Sequence, residues 1–239
     1  MNKPAILVTS GKGGVGKTLV AINIALELSK YMKVALVDAD VRAPNLTYVM
    51  GIANKKIDID HNRKLIPYKY SDNLQIFSME HFVARDNGIK KAIIIPGEEV
   101  RSIIDQTVYG VAWDNPDVFV FDSDPSTSDV LIELHKIFGK YLNALIVTTN
   151  DISSRFDAER EIDALIIYDI SIIGIIGNMI FHGMDDGIKE IADKFKLKYF
   201  GYIPFDEKIR MDNNNGKAQI DYDVIKKVVG DILWQQQKN

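Results

Sequence analysis

Eight residues near the amino terminus, Gly11-Lys12-Gly13-Gly14-Val15-Gly16-Lys17-Thr18, have the types and spacing needed to hold a polyphosphate. The four glycines let the backbone turn tightly and bring successive N–H groups against phosphate oxygens. Lys17 offers a point charge to the β- and γ-phosphates, and Thr18 offers a hydroxyl to Mg²⁺. An apolar run, Ala5-Ile6-Leu7-Val8, precedes the loop, and a helical pattern, Val20, Ile24, Leu28, follows it. Strand, glycine-rich loop and helix is the context a phosphate-binding loop requires. The first turn of the helix adds unpaired N–H donors and a positive dipole end.

Carboxylates follow where a phosphate and metal site would need them. The apolar run Val34-Ala35-Leu36-Val37 ends in Asp38-Ala39-Asp40. Two carboxylates at i and i+2 on a strand point the same way. Beside a triphosphate and Mg²⁺, one can hold metal-bound water and the other can orient the attacking water. Asp117-Val118-Phe119-Val120-Phe121-Asp122 is a second buried strand ending in an acid, as a metal-binding Asp122 requires.

These residues need elements to hold them. Apolar residues cover most of the circumference of a first helix, from Lys17 to about Tyr31. Further continuous apolar runs, Asn143 to Thr149 and Ser171 to Met179, read as buried parallel strands. Asn73 to Ser78 alternates apolar and polar and reads as another strand, while residues 53–69 are polar and irregular and His81 to Lys91 is loop-like. Helices are predicted from about Glu98 to Tyr109, Val130 to Phe138, Asp151 to Tyr168, Asp185 to Phe195 and Tyr222 to Gln236. The last carries an apolar stripe, Val224, Ile225, Val228, Val229, Ile232 and Leu233, predicted to pack on the sheet rather than on a membrane. Strands and helices alternate throughout. The predicted fold is therefore one doubly wound α/β domain over residues 1–239, with a mainly parallel sheet, helices on both faces and the site at the strand carboxyl ends.

Composition narrows the function classes. The chain has 239 residues, 46% hydrophobic and 26% charged, with a net charge of −4. No global basic field draws it to nucleic acid. It contains no cysteine, which excludes disulfides, thiolate zinc, a cysteine nucleophile and Cys-ligated iron–sulfur clusters. His61, His81, His135 and His182 show no paired ligand spacing. No apolar run reaches the ~20 residues that span a bilayer. With no signal-peptide pattern at the amino terminus, a cytoplasmic location is expected.

Lys12 goes beyond a generic phosphate loop. The string GKGGVGKT resembles the deviant Walker A loop of the MinD/ParA/Mrp class of P-loop ATPases. Asp38-Ala39-Asp40 through Pro44-Asn45 resembles the first switch of that class. Val111-Ala112-Trp113, Asp117 to Asp122, Pro125 and Thr127-Ser128-Asp129-Val130 resemble the Mrp/ApbC branch, as does Gly201-Tyr202-Ile203-Pro204-Phe205-Asp206. The resemblance implies an ATP- and Mg²⁺-dependent homodimeric switch, with ATP sandwiched between two subunits. Lys12 would cross the interface, Lys17 would hold the phosphates and Asp40 would orient the hydrolytic water. Nucleotide contacts would come from Gly11, Lys12, Gly13, Gly14, Val15, Gly16, Lys17, Thr18 and Leu19, with Asn178, Pro204 and Phe205 at the base. Thr18, Asp38 and Asp122 would form the metal shell.

The departures from the family are equally specific. Asp124 stands where the family has a proline, and Ser126 where it has the glycine expected to face the γ-phosphate. Asp124 adds negative charge beside a bound tetra-anion, which slows or weakens the site unless it joins the metal shell or points away. Leu19 replaces a hydroxyl. Ile180-Phe181-His182-Gly183-Met184 replaces the family's CxxC loop, so no iron–sulfur cluster is carried by that route. Two alternatives remain open. One is a catalytically weak, nucleotide-stapled scaffold. The other is a positioning ATPase of the MinD/ParA kind, acting on membrane or DNA, against which the charge argues.

Overall fold

Strands that are apolar on both faces must be covered on both faces, and this governs the architecture. The computed structural model describes residues 1–55, 57–82, 85–86, 89–90, 97–124, 129–181 and 183–236. Within them the chain runs β1 (Ala5–Thr9), α1 (Lys17–Leu28), β2 (Val34–Asp38), α2 (Leu46–Val49), β3 (Tyr68–Lys69), β4 (Leu74–Ser78), β5 (Arg85–Asp86) and β6 (Ile89–Lys90). It continues through α3 (Gly97–Tyr109), β7 (Val118–Asp122), α4 (Asp129–Phe138), β8 (Leu142–Thr148), α5 (Ile152–Ile167) and β9 (Ser171–Ile180). The last elements are α6 (Asp186–Phe195), β10 (Tyr199–Pro204), α7 (Glu207–Asn214) and α8 (Asp223–Gln236).

Eight strands form one sheet in the order β10-β9-β8-β1-β7-β2-β4-β3. All neighbouring pairs are parallel except β3 with β4. The doubly wound, mainly parallel α/β fold predicted from the alternation of elements is the one observed. β5 and β6 pair separately as a short antiparallel ribbon.

Alternation along each strand divides the core in two. Ile6, Val8, Leu36, Val118 and Val120 face α1 and α8. Leu7, Val37, Phe119 and Phe121 face the other way, toward α3, α4, α5 and α6. Phe119, Phe121 and Phe138 pack with ring centroids 5.5–5.9 Å apart on that second face. The α8 stripe packs on the sheet as predicted: Val224, Ile225, Val228, Val229 and Ile232 are buried, and Lys226 and Lys227 are exposed. Among the described residues no helix is long and apolar enough to cross a membrane.

Three details differ from the sequence reading. Helix α1 stops at Leu28, where Ser29 and the turn to Met32 take the last carbonyls. Strand β4 is almost wholly buried although its residues alternate, because it lies inside the sheet between β2 and β3. Helix α7 was not foreseen: it buries none of its residues and is started by the Asp206 carboxylate accepting from Lys208 N–H at 2.8 Å. The predicted features at Pro125 to Ser128 and His182, including the family departure at Ser126, lie outside the described residues.

Candidate nucleotide-binding site

Register alone brings the main groups together. β1 is flanked by β7 and β8, and β7 by β2. Val8 of β1 pairs with Asp122, and Asp122 pairs with Asp38. The phosphate-binding loop therefore leaves β1 beside the acidic carboxyl ends of two neighbouring strands, and re-enters the fold as α1.

The loop is braced from both sides. Gly16 caps α1 at φ 87°, in the left-handed region, with no side chain closing the helix end. The first-turn N–H groups are thereby left to face a ligand. A Cβ on Gly16 would lie 2.1 Å from Asn178 Nδ2, so the position needs glycine for space as well as for conformation. A Cβ on Gly11 would lie 2.0 Å from the Asp157 carbonyl oxygen of α5. Asn178 is buried at the end of β9 and donates from Nδ2 to the Val15 carbonyl at 2.8 Å. The residue predicted to read the base thus also tethers the phosphate loop.

Lys17 is buried, and Nζ donates to Ser10 Oγ at 3.1 Å and to the Lys12 carbonyl at 3.4 Å. Burial lowers its pKa, while Asp122, Asp40, Asp124 and Glu161 pull it back up. Lys12 Nζ donates to Ser153 Oγ at the start of α5, at 2.7 Å. Leu19 is part of the apolar core under the loop.

The three residues predicted to hold a metal separate into two kinds. Asp122 is buried, receives the Thr18 hydroxyl on its carboxylate, and keeps Oδ1 without a partner among the described residues. Desolvation pushes its pKa up to about 7, against the Thr18 bond and the Lys17 charge. An orphaned, buried carboxylate oxygen beside a threonine hydroxyl fits a hard divalent cation such as Mg²⁺. Asp38 is different. Its Oδ1 accepts from Asp40 N–H at 3.2 Å, and its Oδ2 accepts from Asn45 N–H and Leu46 N–H at 3.2 Å and from Ser78 Oγ at 2.8 Å. This carboxylate is committed to holding the loop after β2 and the start of α2. Burial and the neighbouring Asp122 raise its pKa well above the ordinary carboxylate range.

β2 ends at Asp38, so Asp40 lies two residues past the strand. Its charge still acts on Lys17, Asp38 and Asp122. Its Oδ1 accepts from Ala43 N–H at 3.0 Å. On the base side, Pro204 ends β10, and Phe205 N–H donates to the Ile180 carbonyl at 2.9 Å. Phe205 stacks on Phe181 with centroids 5.1 Å apart.

Glu161 is a buried acid beside the loop that the sequence reading does not pick out. Glu161 of α5 is 2% exposed and accepts from Thr9 Oγ1 at 2.6 Å, immediately before the phosphate loop. Burial raises its pKa. The signal was present in the sequence: Glu161 lies in phase with Ala158, Ile162 and Leu165, the buried stripe of α5. A cavity of about 540 Å³ between Pro4, Lys140, Tyr141, Asn143 and Gln235 lies at the amino-terminal ends of the strands and shares no residue with this site.

Comparison with known proteins agrees with the fold. The family model described as "ParA: NUBPL iron-transfer P-loop NTPase" matches residues 2–233. An iron-sulfur cluster carrier protein of Rickettsia bellii is 34% identical over 211 residues, covering 87% of this chain and 63% of its own. The chain spans about three-fifths of the length of the curated relatives it matches. A nucleotide-binding protein of Archaeoglobus fulgidus, solved with ADP, superposes with a TM-score of 0.74 at 22% identity, covering 92% of this chain and 89% of its own. The septum site-determining protein MinD of Pyrococcus horikoshii, solved with Mg-ADP, gives a TM-score of 0.68 at 21% identity over 96% of each chain.

Proposed function

The chain belongs to the ParA family of NUBPL-type iron-transfer P-loop NTPases, and from that premise we propose that it is a Mg·ATP-dependent switch that hydrolyses ATP slowly and dimerises around it. The observation that carries this reading is the convergence of one buried lysine, one unpartnered buried carboxylate oxygen and a helix amino terminus at the end of β1.

The residues divide the work. Gly11 to Thr18 cradle the phosphates, with Lys17 supplying charge. Thr18 and Asp122 would hold Mg²⁺, which when bound would neutralise charge developing on the phosphates. Asp38 positions the loop that carries Asp40, and Asp40 orients the attacking water. Pro204 and Phe205 border the base, and Asn178 ties the base side to the phosphate loop. Lys12 leaves Ser153 to reach the phosphates of a second subunit.

The 239 residues contain no cysteine and supply no thiolate to an iron–sulfur cluster. A nucleotide-stapled scaffold is the second reading. It is favoured by Asp124, a carboxylate 8% exposed that feels the same field as Lys17.

Phosphate release and binding of labelled ATP separate the readings. Lys12→Ala and Asp40→Ala should each lose turnover by about 100-fold while ATP affinity changes by no more than about threefold. Turnover of Asp40→Ala at the parent rate would remove Asp40 from its role. A parent protein that holds ATP unhydrolysed would favour the scaffold.

A further inference from the structure

The loops after β2 and β7 each present a charged residue that the phosphate chemistry above leaves unused: Arg42 and Asp124. Asp124 lies two residues beyond Asp122 with its side chain 11% exposed. A carboxylate buried beside a phosphate site faces both desolvation and like-charge repulsion. Cations offset it from two directions. Lys17 of α1 lies within its field. Arg42 approaches from the β2 side, with Nη1 4.0 Å from Asp124 Oδ2.

The backbone on both sides of Arg42 is pinned. Before it, Ala39 N–H donates to the Asp122 carbonyl and Asp40 N–H to the Asp38 carboxylate; after it, Asp40 accepts from Ala43 N–H, and Asp38 accepts from Asn45 and Leu46 N–H. The Arg42 side chain, 45% exposed, is free to swing while its main chain stays in place. A separation of 4.0 Å is the outer edge of an ion pair and longer than a charge-assisted hydrogen bond, so this contact is easily exchanged for a stronger one. A terminal phosphate carries more charge than one carboxylate, and its oxygens match the guanidinium fork.

We propose that Arg42 senses the γ-phosphate: its guanidinium pairs with Asp124 in the nucleotide-free chain and passes to the terminal phosphate of a bound nucleoside triphosphate. A diphosphate offers nothing at that position and leaves the Arg42–Asp124 pair in place. The two post-strand loops therefore report which nucleotide is bound through residues of a single subunit, and Asp124 sets the threshold by competing for the arginine. This inference rests on the nucleotide reading of the site.

The test is calorimetric titration of Mg·AMPPNP and Mg·ADP into the parent, Arg42→Ala, Arg42→Lys, Asp124→Asn and the double variant Arg42→Ala/Asp124→Asn. Loss of a charge-assisted phosphate contact predicts AMPPNP affinity weakened about tenfold or more in Arg42→Ala, with ADP affinity unchanged within about twofold. Arg42→Lys should recover only part of that loss, because ammonium lacks the fork. Asp124→Asn should tighten AMPPNP more than ADP, and the double variant should differ from the sum of the single effects. Equal effects of Arg42→Ala on both nucleotides, or no effect on either, would overturn the inference while leaving the nucleotide site intact. A parent protein that binds neither nucleotide would overturn both.

Discussion

Replacing Asp122 by Asn should stabilise the metal-free protein and disable the site at the same time. Asp122 is buried beside Asp38, and burial moves its pKa from the ordinary 3.8 to about 7. The folded chain therefore binds this proton more tightly than the unfolded chain does. Stability is fully present near pH 4, falls as the pH rises toward 7, and is level above that. A shift of about 3 units at about 1.4 kcal/mol each sets an upper limit of about 4 kcal/mol for the cost of the ionised form. The amide NH2 that takes the place of the buried, unpartnered oxygen offsets part of this, so about 2 kcal/mol is the working figure. In a protein of this size that corresponds to a melting temperature about 4–8 °C higher for Asp122→Asn at pH 8. Asparagine can still accept the Thr18 hydroxyl, which keeps the local geometry. The assay is thermal unfolding in EDTA from pH 4 to 8, paired with titration of Mg·AMPPNP. The stability gain should shrink toward pH 4, and Mg-dependent nucleotide affinity should fall at least about tenfold. A variant less stable than the parent at pH 8, or a gain that does not change with pH, would refute the reasoning.

Two substitutions probe the bracing of the phosphate loop. Gly16→Ala places a methyl 2.1 Å from Asn178 Nδ2 at φ 87°, and should cost about 1–3 kcal/mol in chemical denaturation and abolish detectable ATP binding. Asn178→Ala leaves the Val15 carbonyl without its donor and should cost about 1–3 kcal/mol, with ATP and ADP affinities falling by the same factor. If ATP and ADP bind Asn178→Ala as they bind the parent, the tether to the loop is not functional.

What could be read from the sequence follows the physics of burial. β1, β2, β7, β8 and β9 are short, mainly apolar runs separated by helical patterns, which is the signature of a covered parallel sheet, and the loop between β1 and α1 carries its chemistry in residue type and spacing. α7 was hidden because it buries no residue and so has no apolar period to detect. The end of β2 at Asp38, two residues before Asp40, is not marked by the side-chain pattern. The hydrogen bonds of Asp38 are not legible in the sequence, because its four donors come from residues 2–40 positions away in the chain. Glu161 and Thr9 meet across 152 residues, and only the phase of the α5 stripe hinted that this carboxylate was buried.

ATP-gated dimerisation is read from the solution mass by light scattering, with Mg·ATP, with Mg·ADP and without nucleotide, on the parent and on Asp40→Ala. The expected mass is near 26.9 kDa without nucleotide and with ADP, and twice that with ATP, persisting longest in Asp40→Ala. One mass in all three conditions would contradict an ATP-gated dimer and leave Lys12 without a partner subunit to reach.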